Sequence, residues 1–355
     1  MKLASRLGVL LALLSASPAS AHILLRLPQP FKLVRTNQKL HGCVVDHTGN
    51  HGHDNRIWSP ALDQKRDLYV YLPPGFDCNK QYPFILWLHG FTQDEQSFLN
   101  DVVPTLDRAI ASGQLPPTIV AAPDGSFRGT ASLFTTGSFF LNTPRAGDFE
   151  DYLMVDVWDF VMRNYPIRPE PEAHVIAGVS MGGGAAFNKA IKHPEKFRTV
   201  LGIFPPVNLR WLDCHGKYMR PFDPCCWGWR TDFSRRIEVV GSFGVLLKIR
   251  QAAVIGPLYG LRNPDTAEHV ARENPIEMLD AYDVREGRLA MYIAYGGKDE
   301  FNITAQVESF LYRAHERGLT VQVGYDPEGH HDRETAKKLM PGALAFLAEQ
   351  LATYR

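Results

Sequence analysis

Net charge is the first thing this sequence lacks. Its 38 Lys and Arg residues are matched by 38 Asp and Glu, so no overall field draws it toward nucleic acid or a strongly anionic partner. It also lacks internal repeats. Its apolar runs Leu7 to Leu14 and Ala252 to Leu261 fall far short of the ~20 residues that cross a bilayer as a helix, so stable membrane insertion is not expected. Cysteine is sparse, with five residues in 355, and no set of four ligands has the spacing of a zinc site. What is abundant is hydrophobic residue, 45% of the chain, enough to bury one large α/β core.

Lys2 and Arg6 precede the apolar run Leu7 to Leu14, and Ala19-Ser20-Ala21 follows as a small-x-small cleavage site. This pattern predicts a secretory signal over 1–21, a single domain over 22–355, and a secreted or periplasmic protein; an uncleaved anchor is the alternative. The cysteines suit an oxidising compartment. Cys214 is expected to bridge to Cys225 or Cys226, and Cys43 and Cys78 to form a second bridge, although spacing does not settle connectivity.

The chain alternates between strand and helix signals. Two or three strands are expected over 41–72, ending in Leu68 to Leu72 before Pro73-Pro74-Gly75. Phe84 to Leu88 is a continuous apolar run, as in a strand buried on both faces. Thr118 to Ala122 is the next, and 150–164 reads as a helix with Asp148 as its N-cap. Thr199 to Phe204 is a further strand. From about 205 to 285 the alternation lapses into an aromatic, turn-rich stretch containing Trp211, Trp227 and Trp229, read as a cap inserted over the strand ends. Strand Ala290 to Tyr295, helix 303–317 stopped by Gly318, strand Thr320 to Tyr325 and a C-terminal helix complete the pattern. Such alternation implies a mostly parallel central sheet with helices on both faces.

Gly178-Val179-Ser180-Met181-Gly182 follows the apolar run Val175-Ile176-Ala177 and precedes a helix-compatible run of small residues. Strand, Gly-x-Ser-x-Gly turn and helix make a nucleophile elbow, whose tightness excludes bulk two residues either side of the serine. A serine hydroxyl needs a base, and the base needs an orienting acid. Tyr295-Gly296-Gly297-Lys298-Asp299 places Asp299 at the end of a later strand, with Glu300 as the alternative acid. Pro327-Glu328-Gly329-His330-His331-Asp332 supplies the base: His331, with His330 as the alternative. The oxyanion donors are expected to be the backbone N–H groups of Met181 and Phe91, with Gly90 allowing close approach and His89 a structural loop residue.

His89-Gly90, Pro123-Asp124-Gly125, Gly147 to Tyr152, the elbow, Gly297 to Asp299 and Gly329-His330-His331-Asp332 occur in that order. In this the chain resembles the esterase family of α/β-hydrolases that contains S-formylglutathione hydrolase, feruloyl esterases and the antigen 85 mycolyltransferases, over roughly 65–204 and 288–352. The resemblance implies an α/β-hydrolase fold, with ester hydrolysis or acyl transfer through a serine acyl-enzyme. It implies no cofactor and no metal, and a small-molecule or glycan-linked ester as substrate. The 205–285 insertion and the doubled histidine depart from the pattern.

Several weaker signals remain. Asp46, His47, His51, His53 and Asp54 bunch ligand-type side chains, either as a metal site or as a solvated turn. Asn302-Ile303-Thr304 is a glycosylation sequon or simply a helix start. The three tryptophans either line a substrate pocket or pack the cap. A catalytically silent binding protein is the rival from outside catalysis.

Overall fold

Eight strands form the central sheet: β1 (Cys43–His47), β2 (Leu68–Leu72), β3 (Phe84–Leu88), β4 (Ile119–Pro123), β5 (His174–Val179), β6 (Thr199–Ile203), β7 (Ala290–Gly296) and β8 (Gln322–Asp326). This computed structural model describes residues 31–131, 137–244, 247–260 and 262–355; the expected signal over 1–21 lies outside them. The strands lie side by side in the order β1-β2-β4-β3-β5-β6-β7-β8. β2 runs antiparallel to both neighbours, and every other pairing is parallel. The sheet is therefore mostly parallel, as the alternation implies.

β3, β4 and β6 are buried along their whole length, which is why Phe84 to Leu88 reads as an unbroken apolar run instead of alternating. Besides a short helix at Lys32–Asn37, the main helices are α1 (Val103–Ala111), α2 (Trp158–Asn164), α3 (Met181–Lys192), α4 (Gln251–Tyr259), α5 (Thr266–Arg272), α6 (Pro275–Ala281), α7 (Ile303–Glu316) and α8 (Arg333–Gln350). α3 packs on β5 and β6, and α7 and α8 pack on β7. β5 and β6 thus carry the Ser180 turn, while β7 and β8 bring the Asp299 and His331 loops beside it.

Local structure departs from expectation in several places. The 41–72 region holds four strands, with Ile57–Ser59 and Gln64–Arg66 forming a separate hairpin. The helix expected over 150–164 begins at Phe149, passes through a wide π-type turn over Tyr152–Val157, and continues as α2. Asp148 stands at its N-cap position but makes no side-chain capping bond. Asn142 Oδ1 instead accepts from the Glu150 and Asp151 amides at 2.8 and 3.2 Å. The cap comes from across a hairpin, so no local pattern encodes it.

The 205–285 segment is more regular than its sequence suggests. It contains two short hairpins, Trp211–Asp213 with Trp227–Trp229 and Val239–Phe243 with Leu247–Arg250, followed by α4, α5 and α6. Cys214 bridges to Cys226 across the first hairpin. The expected Cys43–Cys78 bridge does not form: both are free and exposed, as is Cys225. α6 packs against α3 and α7. Glu273, just ahead of it, accepts from Lys192 Nζ and Asn188 Nδ2 at 2.6 and 2.9 Å. The three tryptophans lie around the first hairpin, with Trp211 fully buried against Tyr218 and Phe222. They pack this segment and none lines the substrate-sized cleft.

Candidate active site

Ser180 sits between β5 and α3 with φ +53° and ψ −122°, a conformation that non-glycine residues adopt only where the surroundings enforce it. Two glycines make that possible. A Cβ on Gly178 would stand 2.5 Å from the Gly182 carbonyl oxygen and 2.8 Å from that of Leu88. A Cβ on Gly182 would overlap the Leu88 carbonyl and stand 2.6 Å from His89 O. The Ser180 amide donates to Ile203 O at 2.7 Å, which ties the turn to the neighbouring strand.

His331 Nε2 lies 2.9 Å from Ser180 Oγ, and His331 Nδ1 lies 2.7 Å from Asp299 Oδ2. A carboxylate only accepts, so Nδ1 carries the ring proton and Nε2 faces the serine hydroxyl as an acceptor. The rings of Phe204 and Phe301 stand 5.0 and 4.8 Å from the imidazole and shield it from water. Phe204 also has positive φ, +51°, and its amide donates to Ala294 O at 2.7 Å.

The doubled histidine resolves into two acid–histidine pairs. His330 Nδ1 faces Glu300 Oε1 at 2.7 Å, and Glu300 Oε2 accepts the His331 amide at 3.0 Å. Glu300 and His330 therefore hold the loop, while Asp299 and His331 face Ser180. Asp299 also caps α7, as its position before a helix allows.

Both residues expected to supply the oxyanion donors line the cleft beside the serine. Met181 opens α3, so its amide is among the first-turn N–H groups that lack an intrahelical acceptor. Phe91 lines the cleft with Ser180 and Met181, and the Cβ position of Gly90 is 3.5 Å from Ser180 Cβ. His89 is buried. Its Nε2 accepts from the Gly125 amide at 2.8 Å, which puts the ring proton on Nδ1, 2.9 Å from Gly90 O. Behind it Asp124 pairs with the buried Arg66 at 2.8 Å. Burial alone would raise the Asp124 carboxyl, but the Arg66 charge holds it well below the usual carboxylate range.

The cleft over Ser180 has a volume of about 1010 Å³ including its open mouth, and its lining is mostly apolar. The 205–285 segment supplies most of that lining, among it Phe233, Phe243, Ile255 and Leu258. The apolar run from Ala252 is α4, facing the cleft. Sequence reasoning missed Arg230 and Gln306, which also line it. Gln306 was detectable as a polar residue within the inward stripe of Ile303, Val307 and Phe310. Arg230 carries no such signal.

The bunched residues at 46–54 go separate ways. His47 faces Tyr165 Oη at 2.6 Å, His51 faces Tyr69 Oη at 2.7 Å, and Asp54 pairs with Arg56 and Lys65. Two other groups bring three ligand-type atoms within 4.8 Å: Cys214, His215 and Cys226, whose cysteines are joined as a disulfide, and Asp67, Glu95 and Asp124 beside Arg66. The Asn302 side chain donates to Tyr218 O and Arg220 O at 2.5 and 3.0 Å, which a glycan at the sequon would disrupt.

The family model described as "Putative esterase" matches residues 59–345. The chain belongs to that family. Among solved structures it is similar to a ferulic acid esterase, at 18% identity and TM-score 0.63, over 88% of this chain and 99% of the other. It is also similar to an S-formylglutathione hydrolase from Agrobacterium tumefaciens, at 17% identity and TM-score 0.61, over 88% and 96%. The fluorophosphonate-binding serine hydrolase F of Staphylococcus aureus aligns at 17% identity and TM-score 0.58, over 86% and 98%. At these identities the likeness is one of fold, and that fold is the α/β-hydrolase sheet. No helix among the described residues is long and apolar enough to cross a membrane.

Proposed function

We propose that this esterase-family protein hydrolyses carboxylic esters through a serine acyl-enzyme, with Ser180 as nucleophile, His331 as base and Asp299 as its orienting acid. The observation that carries the reading is the 2.9 Å approach of His331 Nε2 to Ser180 Oγ. As Oγ attacks the ester carbonyl, Nε2 takes its proton, and the Asp299 carboxylate stabilises the imidazolium. The amides of Met181 and Phe91 hold the tetrahedral oxyanion. Its collapse breaks the ester C–O bond, and the alcohol leaves with the proton from His331. Water then gives its proton to His331 as its oxygen attacks the acyl carbon. Ser180 is reprotonated and the carboxylic acid is released.

The acyl group stays attached through both steps, whereas the alcohol must depart before water enters. The enclosed part of the cleft therefore suits the acyl side. The 205–285 segment acts as a cap on a single domain spanning 22–355, and the signal pattern over 1–21 directs export, in keeping with the Cys214–Cys226 bridge.

The test uses p-nitrophenyl acetate and butyrate with wild type and Ser180→Ala, with and without EDTA. Nitrophenol release that disappears in Ser180→Ala and ignores EDTA is expected, together with fluorophosphonate labelling of wild type alone. Equal release by wild type and Ser180→Ala, or loss of activity in EDTA, overturns the mechanism.

A further inference from the structure

We propose that the second hairpin of the 205–285 segment docks the protein on an anionic lipid surface. Ile237 and Leu247 enter the interface, and Arg235, Arg236, Lys248 and Arg250 meet its headgroups. The inference goes beyond the esterase reading and stands without it.

The hairpin pairs Val239–Phe243 with Leu247–Arg250. Side chains directly across an antiparallel pair share a face, and successive residues alternate between faces. Phe243 stands opposite Leu247, so Phe243, Leu247 and Ile249 form one apolar row. Phe243 and Ile249 line the cleft, and Ile249 is buried. Leu247 continues the row but is 40% exposed. Lys248 and Arg250 lie on the other face, both exposed. Just ahead of the hairpin stands Ile237, 77% exposed and the most exposed large apolar side chain among the described residues. Arg250 Nη1 donates to the Ile237 carbonyl at 2.7 Å, which holds that cation beside the isoleucine. Leu247 lies at the far end of the same strand as Arg250, about 10 Å along it at ~3.3 Å per residue.

The chain as a whole is neutral, but this stretch is not. Residues 235–250 hold four cations and one acid, Glu238, and that acid faces the buried Arg230. None of the four cations forms an ion pair among the described residues. Asp232, shortly before them, is turned to the Ser234 hydroxyl and amide at 2.9 and 2.7 Å. An anionic lipid surface attracts each such cation, and the stems of lysine and arginine lie along apolar matter while their heads stay wet. Exposed aliphatic side chains among unpaired cations thus match lipid on both counts. An acidic polysaccharide would use the cations but leave Ile237 and Leu247 in water. A second copy of this chain would cover both side chains but set the cations against themselves. Docking here brings the cleft to the lipid, because the same hairpin supplies Val240, Phe243 and Ile249 to its lining.

In the experiment, the exported form of wild type and variants is sedimented with vesicles of phosphatidylcholine alone or mixed equally with phosphatidylglycerol. Wild type is expected to sediment with the mixed vesicles and far less with the neutral ones, and added salt should release it. Arg235→Gln combined with Lys248→Gln should weaken partitioning by about 25-fold, at about fivefold per cation removed. Ile237→Ser combined with Leu247→Ser should weaken it by about tenfold or more. None of these four residues lines the cleft, so both variants should melt with wild type and turn over p-nitrophenyl acetate at its rate in vesicle-free buffer. Equal sedimentation with both kinds of vesicle, none with either, or binding unmoved by either pair of substitutions overturns the proposal. So does retention on polygalacturonate that survives the serine pair, or a dimer that the serine pair dissolves, in place of vesicle binding. Failure of the esterase reading looks different: vesicle binding would persist while no ester was hydrolysed in a Ser180-dependent way.

Discussion

Asp299 divides its carboxylate between His331 and the start of α7. Oδ2 lies 2.7 Å from His331 Nδ1, while Oδ1 accepts the amides of Phe301 and Ile303 at 2.8 and 3.3 Å. In the proposed mechanism, orienting the base and capping a helix are thus two tasks of one residue, and substitution can separate them. Asp299→Asn keeps an acceptor for the amides but loses the charge that stabilises the imidazolium. It is expected to lower kcat on p-nitrophenyl butyrate by about 10³–10⁴-fold with an unfolding temperature near wild type. Asp299→Ala should lose activity similarly and also about 1 kcal/mol of stability through the lost cap. Glu300→Gln should stay within a few-fold of wild-type kcat. Equal damage from Glu300→Gln and Asp299→Asn would sink the assignment.

The sheet was legible because its central strands are buried on both faces and read as short apolar runs bounded by turns. The elbow was legible for a steric reason: Gly178 and Gly182 stand where any Cβ meets backbone, and that requirement is written in adjacent residues. Which of His330 and His331 faces Ser180 could not be read this way, since adjacent histidines differ only in which carboxylate each meets across the β7 loop. The same limit hid the Asn142 cap, the exposed free state of Cys43 and Cys78, and Arg230. Each depends on residues brought together from distant parts of the chain.

In the proposed mechanism His89 acts on the oxyanion donor of Phe91 through one peptide plane. The Gly90 carbonyl that receives its Nδ1 proton at 2.9 Å belongs to the same planar unit as the Phe91 N–H, and the two point in opposite directions. Holding the carbonyl therefore aims the amide. His89→Ala should lower kcat by about 10- to 100-fold, less than the 10²–10³-fold lost with a whole oxyanion donor, and change KM little. Expressing kcat per fluorophosphonate-labelled site separates this from partial unfolding. An unchanged kcat per labelled site would show that His89 only packs the loop.

The buried Asp124 and the partly buried Glu150 should contribute to acid stability. Burial alone would raise Glu150, but the His193 hydrogen bond and the charges of Lys189 and Lys192 hold it well below the usual carboxylate range, as Arg66 does for Asp124. Depressed folded-state values mean that the stabilisation is fully present above the unfolded-state values near pH 4. It is lost as pH falls further, by about 1.4 kcal/mol per unit of depression. Thermal unfolding at intervals from pH 7 to pH 2.5 should show a midpoint that falls steeply only below about pH 4. Glu150→Gln should be less stable than wild type at pH 7 and show a shallower fall. An identical acid profile in Glu150→Gln would remove Glu150 from the account.

The elbow glycines offer a graded steric test. A Cβ at Gly182 meets the backbone of Leu88 and His89 in β3 and the loop beyond it, atoms that cannot rotate away without moving the sheet. One at Gly183 meets Gly178 O, Pro205 Cβ and Ile203 O at 3.2 to 3.3 Å, contacts that a shift of a few tenths of an ångström relieves. Alanine is also a better helix former than glycine by about 1 kcal/mol, which offsets that shift at Gly183. Overpacking at Gly182 costs about 1–3 kcal/mol or more and displaces the strand end carrying His89 and Gly90. Gly182→Ala should therefore lower the unfolding temperature by several degrees and lose most esterase activity. Gly183→Ala should stay within about 1 kcal/mol of wild type and keep its activity. Equal stability of the two variants would mean that the strand end yields more readily than its burial allows.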